Sequence, residues 1–355
     1  MQKTVKDMAA FLQNLLPPKI PKTYTVDPIF YAISDEESIR KGVSAFRDFM
    51  CRIYDRLITE SDILDKPKKE AHAFSDNTSI AASYPFICNI AVILLNIGLH
   101  GALNDSGDAL LLDNIQALTA ENIISNTKIP DSRKIKCIQF LTDCGICFNG
   151  IDLSGKKPDM TPLGLAEISY PKNPAMLTGL KVMATAQKNL TTSTIQDILL
   201  RCDYRVLANT EIEIFPILKD VITPLPADVQ QFVIKLHQDY MEKGHKCVFS
   251  TTNFYIRFTY YCRSKELWRL NLSLNNGFNI GIKANNIDKY ADTIKEFPEW
   301  LQEKIAKGYG CGKKRGITTS CDGGCRGFRV PLDGLFMEIG NVIETWINKE
   351  LQLKL

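Results

Sequence analysis

Residues 246–284 read KCVFSTTNFYIRFTYYCRSKELWRLNLSLNNGFNIGIKA. Four runs in this stretch, KCVFSTT, FYIRFTYYCR, LWRLNLSL and FNIGIKA, are rich in Val, Ile, Phe and Tyr and alternate with period two. That pattern marks strands, and Asn275-Asn276-Gly277 is a tight-turn sequence. An antiparallel sheet is expected here. Alternation places Phe254, Phe258 and Tyr260 on one face and Tyr255 and Tyr261 on the other. One face has to be core. The other is either a solvated face with half-exposed tyrosines or an open apolar platform for a ligand, with Arg257, Arg263 and Arg269 nearby.

Helical patterns flank the strands. Val229 to Glu242 is a helix ending at Gly244. Asp288 caps a helix that runs to Ala306, a glycine-rich loop follows, GFRVPL reads as one more strand, and Leu335 to Leu351 closes the pattern as a helix. Upstream, Pro216, Pro224 and Pro226 cluster between Ile212 and Ala227, and the main domain boundary is expected there.

The part before this boundary is mostly helical. Residues 1–16 form an amphipathic pattern, followed by a proline-rich connector. Ser34 and Glu37 make a capping box ahead of a periodic segment that runs to Thr59. Pro85 to Leu99 reads as a buried helix, Thr119 to Ser125 as a short one, and the segment from Pro130 to Gly145 as a third. ICFNGIDLS and LGLAEISYP then read as strands, which is the winged-helix order. Asn173-Pro174 opens a further helix, and Thr191 to Leu207 is another. The fold class is therefore α+β. A helical N-terminal region (1–75) leads into a helical, winged-helix-like module (76–210), and an α+β domain with a Cys/Gly-rich loop follows (211–355).

Composition narrows the function classes. At 355 residues the chain is too long for one typical core. A net charge of +3 is too small for a general polycation, so any nucleic-acid contact needs a local patch. No signal peptide is read in MQKTVKDMAAFLQNLLPPK, where Asp7 and Gln13 interrupt the apolar run. Eleven cysteines without an export signal point to reduced thiols in a cytoplasm. Asn77 to Asn104 lacks Asp, Glu, Lys and Arg, but Pro85, Asn89, Asn96 and His100 dilute it. It reads as a buried helix rather than a membrane span, and no membrane partner is expected.

The sequence has no G-x-x-x-x-G-K-S/T, G-x-S-x-G, H-E-x-x-H or H-x-E with P-C-x-x-C, so P-loop, serine-hydrolase, zincin and zinc-deaminase readings lose support. The most unusual stretch is GYGCGKKRGITTSCDGGCRGFR, residues 308–329. It has three open readings. Cys311, Cys321 and Cys325 could ligate a metal such as zinc, with a fourth ligand from Cys247, Cys262 or His245. Lys313, Lys314, Arg315, Arg326 and Arg329 could hold an anion among converging backbone NH groups. Or glycine and cysteine serve only a tight surface loop. An enzyme would use one of the same thiols as nucleophile, its pKa lowered by the neighbouring cations. Cys144-Gly-Ile-Cys147 sits at a helix C-terminus, where the macrodipole disfavours a thiolate, and reads as core. On the winged-helix-like module, Arg133, Lys134 and Lys136 at the start of the third helix are candidate nucleic-acid contacts, with Lys156 and Lys157 between the strands.

The segments NNIDKYADTIKEFPEWLQEKI, CDGGCRGFRVPLDG, ISYPKNPAMLTGLKVMATAQ and LLRCDYRVLA resemble a bacterial, clostridial-type protein family of unknown function. The resemblance covers about half the chain and implies a bacterial cytoplasmic protein. It assigns no functional residue. The expectation is a non-enzymatic ligand-binding or regulatory protein that takes an anion or small molecule on its C-terminal domain. A thiol- or metal-dependent enzyme and a DNA-binding winged-helix regulator are the alternatives.

Overall fold

The computed structural model describes residues 5–60, 85–114, 131–161, 164–189, 197–208, 213–252, 255–273, 277–307, 327–332 and 336–353. They fall into two units divided in sequence between Ile212 and Glu213. The fold is α+β, with helices and antiparallel strands in separate runs.

The first unit contains α1 (Val5–Asn14), α2 (Glu36–Thr59), α3 (Pro85–His100), α4 (Asp131–Asp143), α5 (Ala175–Asn189) and α6 (Asp197–Arg201). Its strands are β1 (Ala102–Leu103), β2 (Ala109–Leu112), β3 (Cys147–Asn149), β4 (Ile151–Asp152), β5 (Asp159–Met160) and β6 (Ala166–Ser169). Helix α5 is buried along most of its length, including Met176, Leu180, Met183 and Gln187. Neighbouring helices approach it closely. A Cβ on Gly42 of α2 would stand 2.7 Å from the Gly179 nitrogen, and one on Gly98 of α3 would meet the Ala184 Cβ at 2.5 Å. Helices normally cross at 8–10 Å, set by the side chains between them, and glycine removes that spacer. Polar side chains then close the helix ends around α5. Lys181 donates to the Gly101 carbonyl at 2.5 Å below α3, and Gln187 accepts from the backbone N–H groups of Ile198 and Leu199 at the start of α6. Helices α1 and α2 thus share one core with the segments beyond residue 85.

Several local expectations need correction. Asp35, not Ser34, caps α2, accepting from the Ser38 N–H at 3.0 Å, because a carboxylate also meets the positive end of the helix. The helix expected from Thr191 to Leu207 stops at Arg201 and resumes as a 3-10 turn, Tyr204–Leu207. Cys202 between them takes a left-handed φ of 49°, which a continuous helix excludes. The hairpin β1–β2 was not expected. Its turn is built by the Asn104 side chain, which accepts from the N–H groups of Asp108 and Ala109. The strand ICFNGIDLS is split by Gly150, whose φ is +82°. Strands β1-β2-β6-β3 form one sheet and β4-β5 a separate hairpin, all antiparallel. The expected helix from Thr119 to Ser125 lies outside the described residues.

The second unit contains α7 (Ile214–Ile222), α8 (Ala227–Glu242), β7 (Lys246–Thr252), β8 (Tyr255–Cys262), β9 (Lys265–Ser273), β10 (Gly277–Lys283), α9 (Ala291–Ile294), α10 (Glu299–Ala306), β11 (Gly327–Pro331) and α11 (Phe336–Gln352). Pro216 was read as a boundary residue, yet it sits inside α7. It occupies the first turn, where backbone N–H groups have no intrahelical partner to lose. Conversely, the helix expected to run unbroken to Ala306 is interrupted, and Pro298 caps α10.

The sheet runs β11-β10-β9-β8-β7, a meander apart from the late strand β11 at one edge. Phe258, Tyr260, Trp268, Leu270, Ile280 and Ile282 are buried on one face. Tyr260 stacks on Trp268 at 3.6 Å, Tyr240 of α8 meets both edge-on, and Trp346 of α11 packs on Phe328. His237 of α8 is buried, stacked by Phe215, with its Nδ1 2.9 Å from the Tyr260 hydroxyl. Glu350 of α11 is fully buried and accepts from the Asn286 N–H at 2.9 Å and the Tyr290 hydroxyl at 2.6 Å.

Gly179→Ala is expected to destabilise the protein by about 1 kcal/mol in denaturant unfolding. Overpacking costs 1–3 kcal/mol and here outweighs the roughly 1 kcal/mol of helix propensity that alanine adds. Gly155→Ala on the β4–β5 hairpin, where a Cβ would make only an ordinary contact at 3.6 Å with the Lys157 carbonyl, should leave the midpoint unchanged. Burial holds the His237 pKa below its ordinary value, and His245 is lowered too, by burial and by Lys243. Stability is therefore complete above about pH 6.5 and declines as pH falls below it, because the unfolded chain binds protons that the folded one refuses. His237→Gln should flatten that decline in thermal melts between pH 7 and 5; an unchanged slope would assign it to other groups.

Candidate anion-binding face of the sheet

The period-two pleat that buries Tyr260 and Trp268 turns the intervening side chains to the opposite face. Register places Thr259 opposite Arg269, Arg269 opposite Gly281 and Gly281 opposite Arg329, one row across β8, β9, β10 and β11. The next row is Arg257, Asn271, Asn279 and Pro331. Three arginines and two asparagines thus occupy adjoining rows of one face. Of the two readings of this face, the apolar platform is not what the register shows: the face is polar. Tyr261 is half-buried at its end, and the Tyr255 side chain lies outside the described residues.

Hydrogen bonds order the second row. Arg257 Nε donates to Asn271 Oδ1 at 3.3 Å, Asn271 Nδ2 donates to Asn279 Oδ1 at 3.0 Å, and Asn279 Nδ2 donates to the Gly277 carbonyl at 3.4 Å. Both asparagines are buried, at 3% and 4% exposure, so their amides are fixed rather than averaged by water. In the first row, Arg269 Nη1 lies 3.6 Å from Glu266 Oε1, a long pair. Arg329 is half-buried, and Lys304 of α10 donates to its carbonyl at 2.6 Å. Burial and then the Arg329 charge push the Lys304 pKa down. A floor that holds several guanidiniums is suited to carboxylate or phosphate, which a guanidinium fork meets with two N–H donors.

Of the loop cations expected to form the anion site, Arg329 falls on this face. Lys313, Lys314, Arg315 and Arg326 lie outside the described residues, as do Cys311, Cys321 and Cys325. Asn271, Asn279 and Gly281 were missed in the sequence. The available signal was the polar residue at every second position of LWRLNLSL and FNIGIKA.

No group of three His, Cys, Asp or Glu among the described residues is placed to hold a metal ion. Cys247 and Cys262, named as completing ligands, are buried on the sheet, and burial pushes the Cys247 thiol up to about 12. Cys144 is buried at the end of α4 and pushed up to about 11 by burial, although Arg56 opposes the shift. A thiol at either position stays protonated near neutral pH. On α4, Lys134 is buried with its ammonium 2.8 Å from Asp131 and does not join the exposed Lys136; Arg133 is half-buried. Arg56 of α2 lies over Phe140 and pairs with Asp143, covering the other end of that helix. Among the described residues no helix is long and apolar enough to cross a membrane.

No protein-family model, curated protein or solved structure matches this chain.

Proposed function

We propose that this is a non-enzymatic ligand-binding protein with a regulatory role, and that its second unit takes a small anion on the polar face of the sheet. The observation that carries the reading is the register itself. Arg257, Arg269 and Arg329 arise from three different strands yet share one face with two buried, mutually bonded asparagines. Burying such groups costs free energy that an apolar face would avoid. An anion offsets this cost through charge-assisted hydrogen bonds. The described cysteines do not favour a thiol enzyme, because burial keeps Cys144 and Cys247 protonated.

Titration calorimetry of the full chain with inorganic phosphate and with succinate tests the reading. Saturable binding of one of them is expected, weakened by salt, and weakened about ten-fold in Arg329→Ala, the scale of one lost charge-assisted hydrogen bond. Absence of binding by either anion at millimolar concentration would remove it.

A second reading, duplex DNA on the first unit, has its own support. We read residues 76–210 as a winged-helix-like module because β2 lies between α3 and α4, β3 and β6 follow α4, and the three pair in the order β2-β6-β3, with β4–β5 as the wing. The wing exposes Lys156 and Lys157, and Lys136 is exposed on α4. Binding to a mixed-sequence duplex should fall steeply with salt, and Lys156→Ala with Lys157→Ala should reduce the salt slope by about 2. Salt-independent binding, or none at low salt, eliminates this reading.

A further inference from the structure

Helix α4 has one exposed stripe. Helical spacing places Ser132, Lys136, Gln139 and Asp143 on one side of its 13 residues, and all four are exposed. The other side, with Lys134, Cys137, Ile138, Phe140 and Leu141, is buried. The stripe carries no apolar side chain, so it lacks the anchors that a helix lays into a partner's apolar groove. The side chains of Lys136 and Gln139 make no hydrogen bond or ion pair among the described residues. The acids at the two ends of the helix are paired. Lys134 holds Asp131 at 2.8 Å, and Arg56 of α2 reaches Asp143 at 3.2 Å while bonding Glu60 at 2.8 Å. A carboxylate facing a phosphate repels it, and pairing with a cation reduces that repulsion. Lys156 and Lys157 are exposed on the β4–β5 hairpin of the same unit, so cations that can meet phosphate come from two elements.

In the order of elements described above, α4 precedes β3 and β6 and takes the place of the helix that enters the major groove. Phosphate contacts fix position, whereas base edges carry the sequence. Gln139 is the side chain of the stripe with a donor and an acceptor on one planar amide. Its oxygen can accept from the N6 amino group of adenine while its nitrogen donates to N7, a two-bond match to one base. Lysine is a flexible point charge, suited to phosphate. We infer that the exposed stripe of α4 reads sequence in the major groove of duplex DNA, with Gln139 selecting adenine at one base pair and Lys136 holding phosphate. The assignment rests on the duplex-DNA reading above and adds to it a sequence preference, which the wing lysines alone do not provide.

The test uses the full-length chain and a pool of short duplexes with a randomised centre. Bound duplexes are sequenced, and affinities for the preferred duplex and its single-pair variants are measured by fluorescence anisotropy at several salt concentrations. The wild type should prefer an A·T pair at one position by about ten-fold, the scale of one bidentate contact. Gln139→Ala should level the four pairs at that position. Gln139→Arg should exchange the preference for G·C, because a guanidinium fork meets guanine O6 and N7. Lys136→Ala should weaken every duplex alike and lower the salt slope by about 1. Both positions are exposed, so unfolding midpoints of the variants should match the wild type. Salt-dependent wild-type binding with no preferred sequence, or a preference that survives Gln139→Ala, overturns the base-reading role and leaves duplex binding standing. No binding by the wild type overturns both.

Discussion

The first unit depends on backbone contact between helices. Gly42 and Gly179 bring α2 against α5 with no side chain between them, and Gly98 lets α3 approach the Ala184 methyl and the Leu180 carbonyl of α5. Close approach multiplies small dispersion contacts along the helices, each worth only a tenth or two of a kcal/mol but summing along the crossing. It also lets α5 be buried along most of its length. Enclosure then raises the cost of any open backbone group nearby. Lys181 and Gln187 meet that demand, closing the end of α3 and the start of α6 from within the helix that the glycines allowed them to approach.

The second unit uses the same missing atom differently. At Gly281 the absent Cβ makes room for a guanidinium stem instead of a helix. The rest of that unit shows how polar groups are usually handled in its interior. Glu350 is buried but receives donors from Asn286 and Tyr290, and Trp346 in turn donates to the Tyr290 hydroxyl. His237 is held neutral beside Tyr260. These groups have partners of matching chemistry supplied by the fold. On the opposite face, Arg269 has Glu266 Oε1 at 3.6 Å and Arg257 donates to Asn271.

Much of the fold was legible along the chain. The strands from Lys246 to Lys283 follow from period-two alternation, and α2, α5 and α8 from helical periodicity, because both patterns are local consequences of burying one face. The errors fall where a local signal had two meanings. Proline is a breaker at Pro298 but harmless in the first turn at Pro216. Cys202 carries no turn signal at all, yet the chain reverses its helical sense there. The hairpin after α3 was hidden because two residues of β1 are too few to display a period. At the site, Arg269 was read as lying near the second strand, but its partners Asn271, Asn279 and Gly281 gave no motif.

By itself, then, the sequence determined the α+β class, the main sheet and the division of its residues between two faces. These depend on residues two to four positions apart, and that information is contained in the chain. Only the tertiary structure decided that Lys134 is buried against Asp131, that Gly42 meets Gly179, and that Arg269 and Arg329 flank Gly281. Apart from the local pair of Lys134 and Asp131, whose burial depends on packing, these contacts join residues far apart in sequence. Register and helix crossing set them, and both are fixed by the fit of whole elements rather than by any short pattern.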